Sequence, residues 1–260
     1  MNSDYKTSNS EAVKVGANLL RGADSYHTGH AKRLIRTLEI LANLKPEGRI
    51  LDIGSSGFIP LACKELFPDL EVHTTHHEKT GSSFAPHEYS LIGRSITVDT
   101  AFVDLEHDEL PLATGAYDVV ICCEVLEHME IDPMFMLAEI NRVAKDRASL
   151  LLTTPNILSS RGLTKMVNGV EPYFYMQYHK SREYHRHNYE YSAHSLEKLL
   201  MHAGFTSDVW TEDLFEEGMP DVVEKLRAAG FMIRNVGDNL IAVGAKTSSV
   251  IDRWPHGFYV

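Results

Sequence analysis

The apolar positions of the chain change period several times, and each change marks an element. From Glu11 to Asn43 they recur at helical spacing, with Leu34, Ile35, Leu38, Leu41 and Leu44 on one stripe. Pro46-Glu47-Gly48 ends this helical region. Arg49–Ile53 then reads as a short strand, Phe58–Phe67 as a helix stopped by Pro68, and Leu70–Thr75 as a second strand. Residues 76–95 are polar with no clear period, so they read as an irregular loop. Ile96–Val103 is a third strand, Tyr117–Cys123 a fourth with a doubly buried pattern, and Pro133–Ala144 a helix. Ser149–Thr154 is a fifth strand, ended by Pro155-Asn156. Ser192–Ala203 reads as a helix with Ser192 as N-cap and Gly204 just past its end. Phe205–Trp210 and Asn239–Ala245 are the last strands. Strands alternating with helices predict an α/β fold: a doubly wound sheet of about seven strands, mostly parallel.

One stretch breaks this rhythm. Residues 156–190 hold Arg161, Tyr173, Phe174, Tyr175, Tyr178, His179, Arg182, Tyr184, His185 and His187, a dense aromatic and basic run with weak periodicity. It reads as an insertion, or lid, after the fifth strand. The organisation expected is then a tail and helical cap over 1–45, a core over 46–155, a substrate-side lid over 156–190, and the rest of the same domain over 191–260. Residues 1–10 are polar and read as a disordered tail.

Composition narrows the class. The net charge of −11 argues against a non-specific nucleic-acid surface, which needs clustered Lys and Arg. It argues equally against docking on anionic lipid. Cys63, Cys122 and Cys123 are an odd set, two of them adjacent in an apolar run, which fits buried thiols in a reducing compartment. The amino terminus lacks an apolar signal core, and no run approaches the roughly 20 apolar residues of a membrane span. A cytoplasmic location without membrane insertion is expected.

In an open parallel sheet, ligands bind beyond the carboxyl ends of the strands. After the first strand comes Asp52-Ile53-Gly54-Ser55-Ser56-Gly57, where glycine lets the backbone approach a ligand. A dinucleotide site wants a third glycine here, and this loop has two. After the third strand comes Asp104-Leu105, a carboxylate able to hold an adenine amino group beside an apolar cover. The fourth strand is entered by Gly115-Ala116-Tyr117-Asp118 and followed by Glu124-Val125-Leu126-Glu127-His128.

In this order and spacing the three segments resemble the class I S-adenosylmethionine (SAM)-dependent methyltransferases, from about Glu47 to Pro155. Leu199-Leu200 with Ala203-Gly204-Phe205 matches that family's late helix-to-strand junction more loosely. The resemblance implies a Rossmann-like fold, SAM as cofactor, and transfer of its methyl group. It implies cofactor contacts from Asp52, Gly54, Ser55, Gly57, Asp104, Leu105, Cys123 and Glu124. The family's usual ribose-binding acid, at the end of the second strand, is missing: Thr75 and His76 stand near that place, with Glu78 beyond. His73, His76, His77 and His87 are expected in a loop that could cover the cofactor.

Glu124, Glu127 and His128 lie at i, i+3 and i+4, a spacing that can converge on one point. Small-RNA 3′-terminal and ubiquinone-pathway O-methyltransferases pair such a turn with a later histidine. By that resemblance Glu124, Glu127, His128 and His187 would hold a divalent metal that activates a substrate hydroxyl. Two other readings stay open: His128 as general base without metal, helped by Glu127 and Glu124, or a structural or SAM-contact role. His179, His185 and His194 read as surface or lid residues.

The run after the fifth strand also resembles bacterial methyltransferases of polysaccharide and O-antigen assembly. The expected acceptor is a hydroxyl on a sugar, glycolipid or sugar-nucleotide, with Lys165, Lys180 and Arg186 joining Arg161 and Arg182 to hold phosphate or carboxylate. A quinone or natural-product hydroxyl ranks second. An RNA 3′ end ranks third, because the chain is acidic. A non-catalytic SAM-binding module and a dehydrogenase are rival classes.

Overall fold

The computed structural model describes residues 3–78, 81–172 and 186–260. Its eight strands form one sheet in the order β3-β4-β2-β1-β5-β6-β8-β7. By internal contacts the chain divides into two units, residues 1–121 with 142–149 and residues 122–141 with 150–260.

The first unit opens with three helices: α1 (Ser10–Leu20), α2 (Ser25–Gly29) and α3 (Ala31–Asn43). The single helical region expected over 11–43 is thus interrupted. Asp24 supplies the break, its carboxylate accepting from the backbone N–H of His27 at 2.9 Å as the N-cap of α2. Leu34, Leu38 and Leu41 are buried, as their stripe implies. Residues 3–10 are not a loose tail. A 3-10 turn over Ser3–Lys6 buries Tyr5, and Ser8 Oγ and Asn9 N donate to Glu39 Oε1 at 2.7 and 2.9 Å. The partner acid lies 30 residues away, so local polarity could not reveal it.

β1 (Arg49–Ile53), α4 (Phe58–Leu66) and β2 (Glu71–His77) follow. β2 pairs in parallel with β1, Leu51 opposite His73, and with β4 (Arg94–Val103), Thr75 opposite Ala101. Residues 76–95 are not an irregular loop. β3 (Ser83–Leu91) pairs antiparallel with β4 from Ser83–Phe102 to Leu91–Arg94. Ile92 and Gly93 close the hairpin with φ of 51° and 68°. Two central residues at positive φ mark the turn that matches strand twist, normally announced by Asn-Gly or Asp-Gly. Here a β-branched residue holds the first place, and the signal is hidden. His73, His76 and His77 therefore lie on β2 and His87 on β3, rather than in a covering loop.

β5 (Tyr117–Cys123) and β6 (Ala144–Pro155) run from the first unit into the second. The second unit holds a 3-10 turn over Leu126–His128, α5 (Pro133–Val143), α6 (Ser160–Val167), α7 (Ala193–His202), β7 (Phe205–Glu212), α8 (Pro220–Ala228) and β8 (Asn239–Lys246). β7 and β8 pair antiparallel, Phe205 opposite Lys246. α7 begins as the sequence predicts: Ser192 and Ser195 form a reciprocal capping box. Asn141 ties α5 to the end of α7, its amide donating to Ala203 O at 2.8 Å and Ser248 O at 3.0 Å. α8, with Pro220 at its start, lies between the last two strands, where the sequence pattern placed no element. No helix among the described residues is long and apolar enough to cross a membrane.

Candidate active site

In the first unit the glycine loop is built from its backbone outward. Gly54 N donates to Thr75 Oγ1 at 2.9 Å, Ser55 N to Thr75 O at 3.3 Å, and Gly57 N to Ser55 Oγ at 3.1 Å. Thr75, 1% exposed, thus fastens the loop to the end of β2. Gly57 has φ 86°, and a Cβ there would lie 2.9 Å from Cβ of Tyr89. Both the backbone and the tyrosine require glycine. Tyr89 comes from β3, and its hydroxyl pairs with Thr74 Oγ1 at 3.1 Å. Sequence reasoning missed this buttress because it missed the hairpin.

Asp52 is 4% exposed. Burial pushes its carboxyl up to about 7, against a hydrogen bond with Ser55 that favours the ionised form. Asp104 closes the turn after β4: its Oδ1 accepts from Glu106 N at 3.0 Å and meets His107 Nδ1 at 3.2 Å. Leu105 beside it is half-buried. His76 is exposed at the end of β2, its ring 5.5 Å from His87 and 5.8 Å from Phe102. Tyr117 and Asp118 act in the framework. The Tyr117 hydroxyl pairs with His73 Nδ1 at 2.9 Å, and Asp118 Oδ2 accepts from Arg49 N at 2.9 Å and Lys145 Nζ at 2.7 Å.

In the second unit the turn after Cys123 carries the acids. Glu124 stands at φ 56°, a left-handed position that costs a non-glycine residue about 1–3 kcal/mol. Its Oε1 accepts from Thr153 Oγ1 at 2.7 Å and Asn239 Nδ2 at 2.9 Å, which orients it. Glu127 is fully buried, with Oε2 accepting from Thr154 Oγ1 at 2.9 Å. His128 Nδ1 lies 3.1 Å from the carbonyl oxygen of Arg186. A carbonyl only accepts, so Nδ1 carries the proton and the lone pair of the neutral ring sits on Nε2. That nitrogen is 3.8 Å from Glu127 Oε1. His187 repeats the device: its Nδ1 faces Glu190 Oε1 at 2.9 Å, and Glu190 is itself buried. The two rings are 5.1 Å apart and nearly perpendicular. Asn188 joins the segments, its backbone N–H donating to Glu127 O at 2.7 Å and its amide to His128 O at 2.9 Å.

Among the described residues, Glu127, His128 and His187 bring ligand atoms within 4.8 Å of one another, close enough to hold an ion. Glu124, expected as a fourth ligand, lies outside that group: its carboxylate turns to Thr153 and Asn239. Thr154, Asn188, Glu190 and Asn239 bond to Glu127, His128, His187 and Glu124, roles that sequence reasoning missed. An Asn opening the apolar run of β8 was the one available signal. His194 is exposed, and Arg161 pairs with Glu216 at 2.7 Å. Arg186 donates through Nε to Asn188 Oδ1 at 2.9 Å, while Lys165 is half-buried. Tyr173, Phe174, Tyr175, Tyr178, His179, Lys180, Arg182, Tyr184 and His185 lie outside the described residues.

A family profile described as a methyltransferase domain matches residues 26–209. A SAM-dependent methyltransferase from Archaeoglobus fulgidus shares the fold at TM-score 0.54 and 16% identity, over 86% of this chain and all of that one. A Thermotoga maritima SAM-dependent methyltransferase, described as a possible histamine N-methyltransferase, does so at 0.53 and 16%, over 90% and 99%. Phosphoethanolamine N-methyltransferase 2 of Haemonchus contortus, solved with SAM, reaches 0.50 at 16%, over 82% of this chain and 52% of that one. No curated protein matches the sequence. The chain belongs to the methyltransferase-domain family, and its fold is that of the class I SAM-dependent methyltransferases.

Proposed function

We propose that this methyltransferase uses SAM and methylates a hydroxyl, with His128 as general base. The acceptor we favour is a sugar, glycolipid or other small hydroxylated molecule. In the first unit the loop Asp52–Gly57 takes the amino-acid end of SAM, and Asp104 with Leu105 takes the adenine. Thr75 is committed to the loop, so the exposed His76 is the better candidate for the ribose hydroxyls. SAM supplies the electrophilic carbon, so the protein must orient the nucleophile and accept its proton.

The observation that carries this reading is the contact of His128 Nδ1 with the Arg186 carbonyl oxygen at 3.1 Å, and the tautomer it implies. Its proton is held by the Arg186 carbonyl, which leaves Nε2 with the lone pair beside a buried carboxylate. A neutral imidazole fixed in this way takes a proton from a hydroxyl, and Glu127 stabilises the imidazolium that forms. Cys123 and Glu124 close the strand end as further proposed site residues, with Glu124 oriented by Thr153 and Asn239. Calorimetry with SAM and with S-adenosylhomocysteine (SAH) tests the cofactor: one site per chain for each is expected, and no heat with either would remove the reading.

A second reading has its own support. His128 and His187 each give Nδ1–H to an oxygen acceptor, Arg186 O and Glu190, the outer-shell arrangement of metal-binding histidines. With Glu127 they make a two-imidazole, one-carboxylate donor set suited to a borderline divalent ion. Such an ion would lower the pKa of a bound hydroxyl. Titration with Co²⁺ separates the two readings: absorption bands lost in His187→Ala support the ion, and a silent titration removes it.

A further inference from the structure

Residues 251–260 make contacts that neither the cofactor loop nor the choice of base accounts for. Arg253 grips Asp132 with both guanidinium nitrogens, Nη1 at 2.8 Å from Oδ1 and Nη2 on Oδ2. Tyr259 donates its hydroxyl to the same Oδ1 at 2.6 Å and accepts from Met134 N at 3.1 Å. Asp132 also caps α5, Oδ1 accepting from Phe135 N at 3.1 Å. The guanidinium lies 4.6 Å from the centre of the Trp254 ring and 5.7 Å from that of Phe135, and Trp254 meets Tyr259 edge-on at 4.9 Å. A bidentate pair stacked on aromatic rings has one geometry. Burial alone would raise the Asp132 carboxyl, but Arg253 and Tyr259 outweigh it and hold it below the ordinary carboxylate range.

The same tail also meets α7 and the segment just past His187. Lys198 Nζ donates to His256 O at 2.5 Å, and the Phe258 ring lies 6.5 Å from that of Tyr189, two residues past His187. Asp132 is four residues past His128. Residues 251–260 therefore hold both stretches that flank the pair of imidazoles. We propose that this tail is a positioning strap: Arg253 and Tyr259, acting through Asp132, and Phe258, acting through Tyr189, set the relative placement of His128 and His187. None of these residues is assigned to touch substrate, so they are positioning residues. The inference rests on the reading of His128 as the reactive group, but its test does not need a known acceptor.

The test is imidazole NMR on the full chain, comparing wild type, Tyr259→Phe, and Tyr259→Phe with Arg253→Gln. Wild-type His128 and His187 are expected as single Nδ1–H tautomers. In the double variant both are expected to lose that bias, their two ring-nitrogen shifts moving together. His73, in the first unit, should not move, and SAM affinity should stay within about twofold. A merely structural strap would lower the melting temperature and leave the tautomers alone. Unchanged His128 and His187 signals in a folded double variant overturn the proposal. If the double variant does not fold, Tyr259→Phe alone decides, since it removes two hydrogen bonds and keeps the ring. Absence of SAM binding in wild type would count against the cofactor reading, and the tautomer comparison would still decide the strap.

Discussion

Asp52 and Glu124 show how much chemistry sits in single side chains here. The unfolded Asp52 carboxyl ionises near 3.9, while in the fold burial raises it to about 7. The fold therefore favours the protonated form. Its stability falls as pH rises from the unfolded value towards 7 and is level above that. Asp52→Asn is accordingly expected to raise the melting temperature more at pH 8 than at pH 4, which a thermal melt at each pH checks. SAM is cationic, so its affinity for wild type should climb between about pH 6 and 8 and lose that slope in Asp52→Asn. Glu124→Ala should cost about 1–3 kcal/mol in denaturant unfolding, because it strands the amide of the fully buried Asn239. The motif residues around Asp52, Asp104 and Glu124–His128 were legible in the sequence because each is a local string at a strand end. Glu190, Asn188 and Asn239 were not, since their roles arise from partners 60 to 115 residues distant in the chain, or from a ring nitrogen's tautomer.

At the level of elements, the alternation of apolar runs was enough to find β1, β2, β5, α7 and the late strands to within a few residues. It failed at the β3–β4 hairpin. The strand β3 is largely exposed, with Tyr89 and Leu91 its buried residues, so its inward face carries too few apolar positions to set a period. The turn then hid behind Ile92. This hairpin matters for the cofactor loop, because it delivers Tyr89 against Gly57. Gly57→Ala should cost about 1–3 kcal/mol, from the left-handed backbone and the clash with Tyr89 together. Tyr89→Phe keeps the packing and gives up the hydrogen bond with Thr74, so a loss of about 1 kcal/mol is expected by the same unfolding measurement. The amino-terminal turn failed for a related reason: Ser8 and Asn9 look like solvated polar residues until Glu39 is seen to receive them.

Taken as a whole molecule, the chain carries the two proposed groups of side chains in different units. The proposed cofactor loop belongs to the first unit, and the Glu127–His128–His187 group to the second. A ligand that binds only the folded state stabilises it by mass action, about 2.7 kcal/mol at a hundred times its dissociation constant. SAM should therefore raise the melting temperature of wild type and of His128→Gln by the same amount. Lowering the pH below the ordinary carboxylate value should loosen the carboxyl-terminal strap. The depressed Asp132 carboxyl keeps its contribution above the ordinary value of about 3.9 and loses it only as pH falls towards its lowered one. The central claim, that His128 removes the acceptor proton, is tested most directly by SAH release. Wild type and His128→Gln would be compared at pH 8 on a panel of sugars, sugar-nucleotides and small hydroxylated acceptors. Turnover by wild type on at least one of them, falling by about a hundredfold or more in the variant with SAM affinity unchanged, is the expected result. Equal turnover by the two proteins on the same acceptor would contradict it.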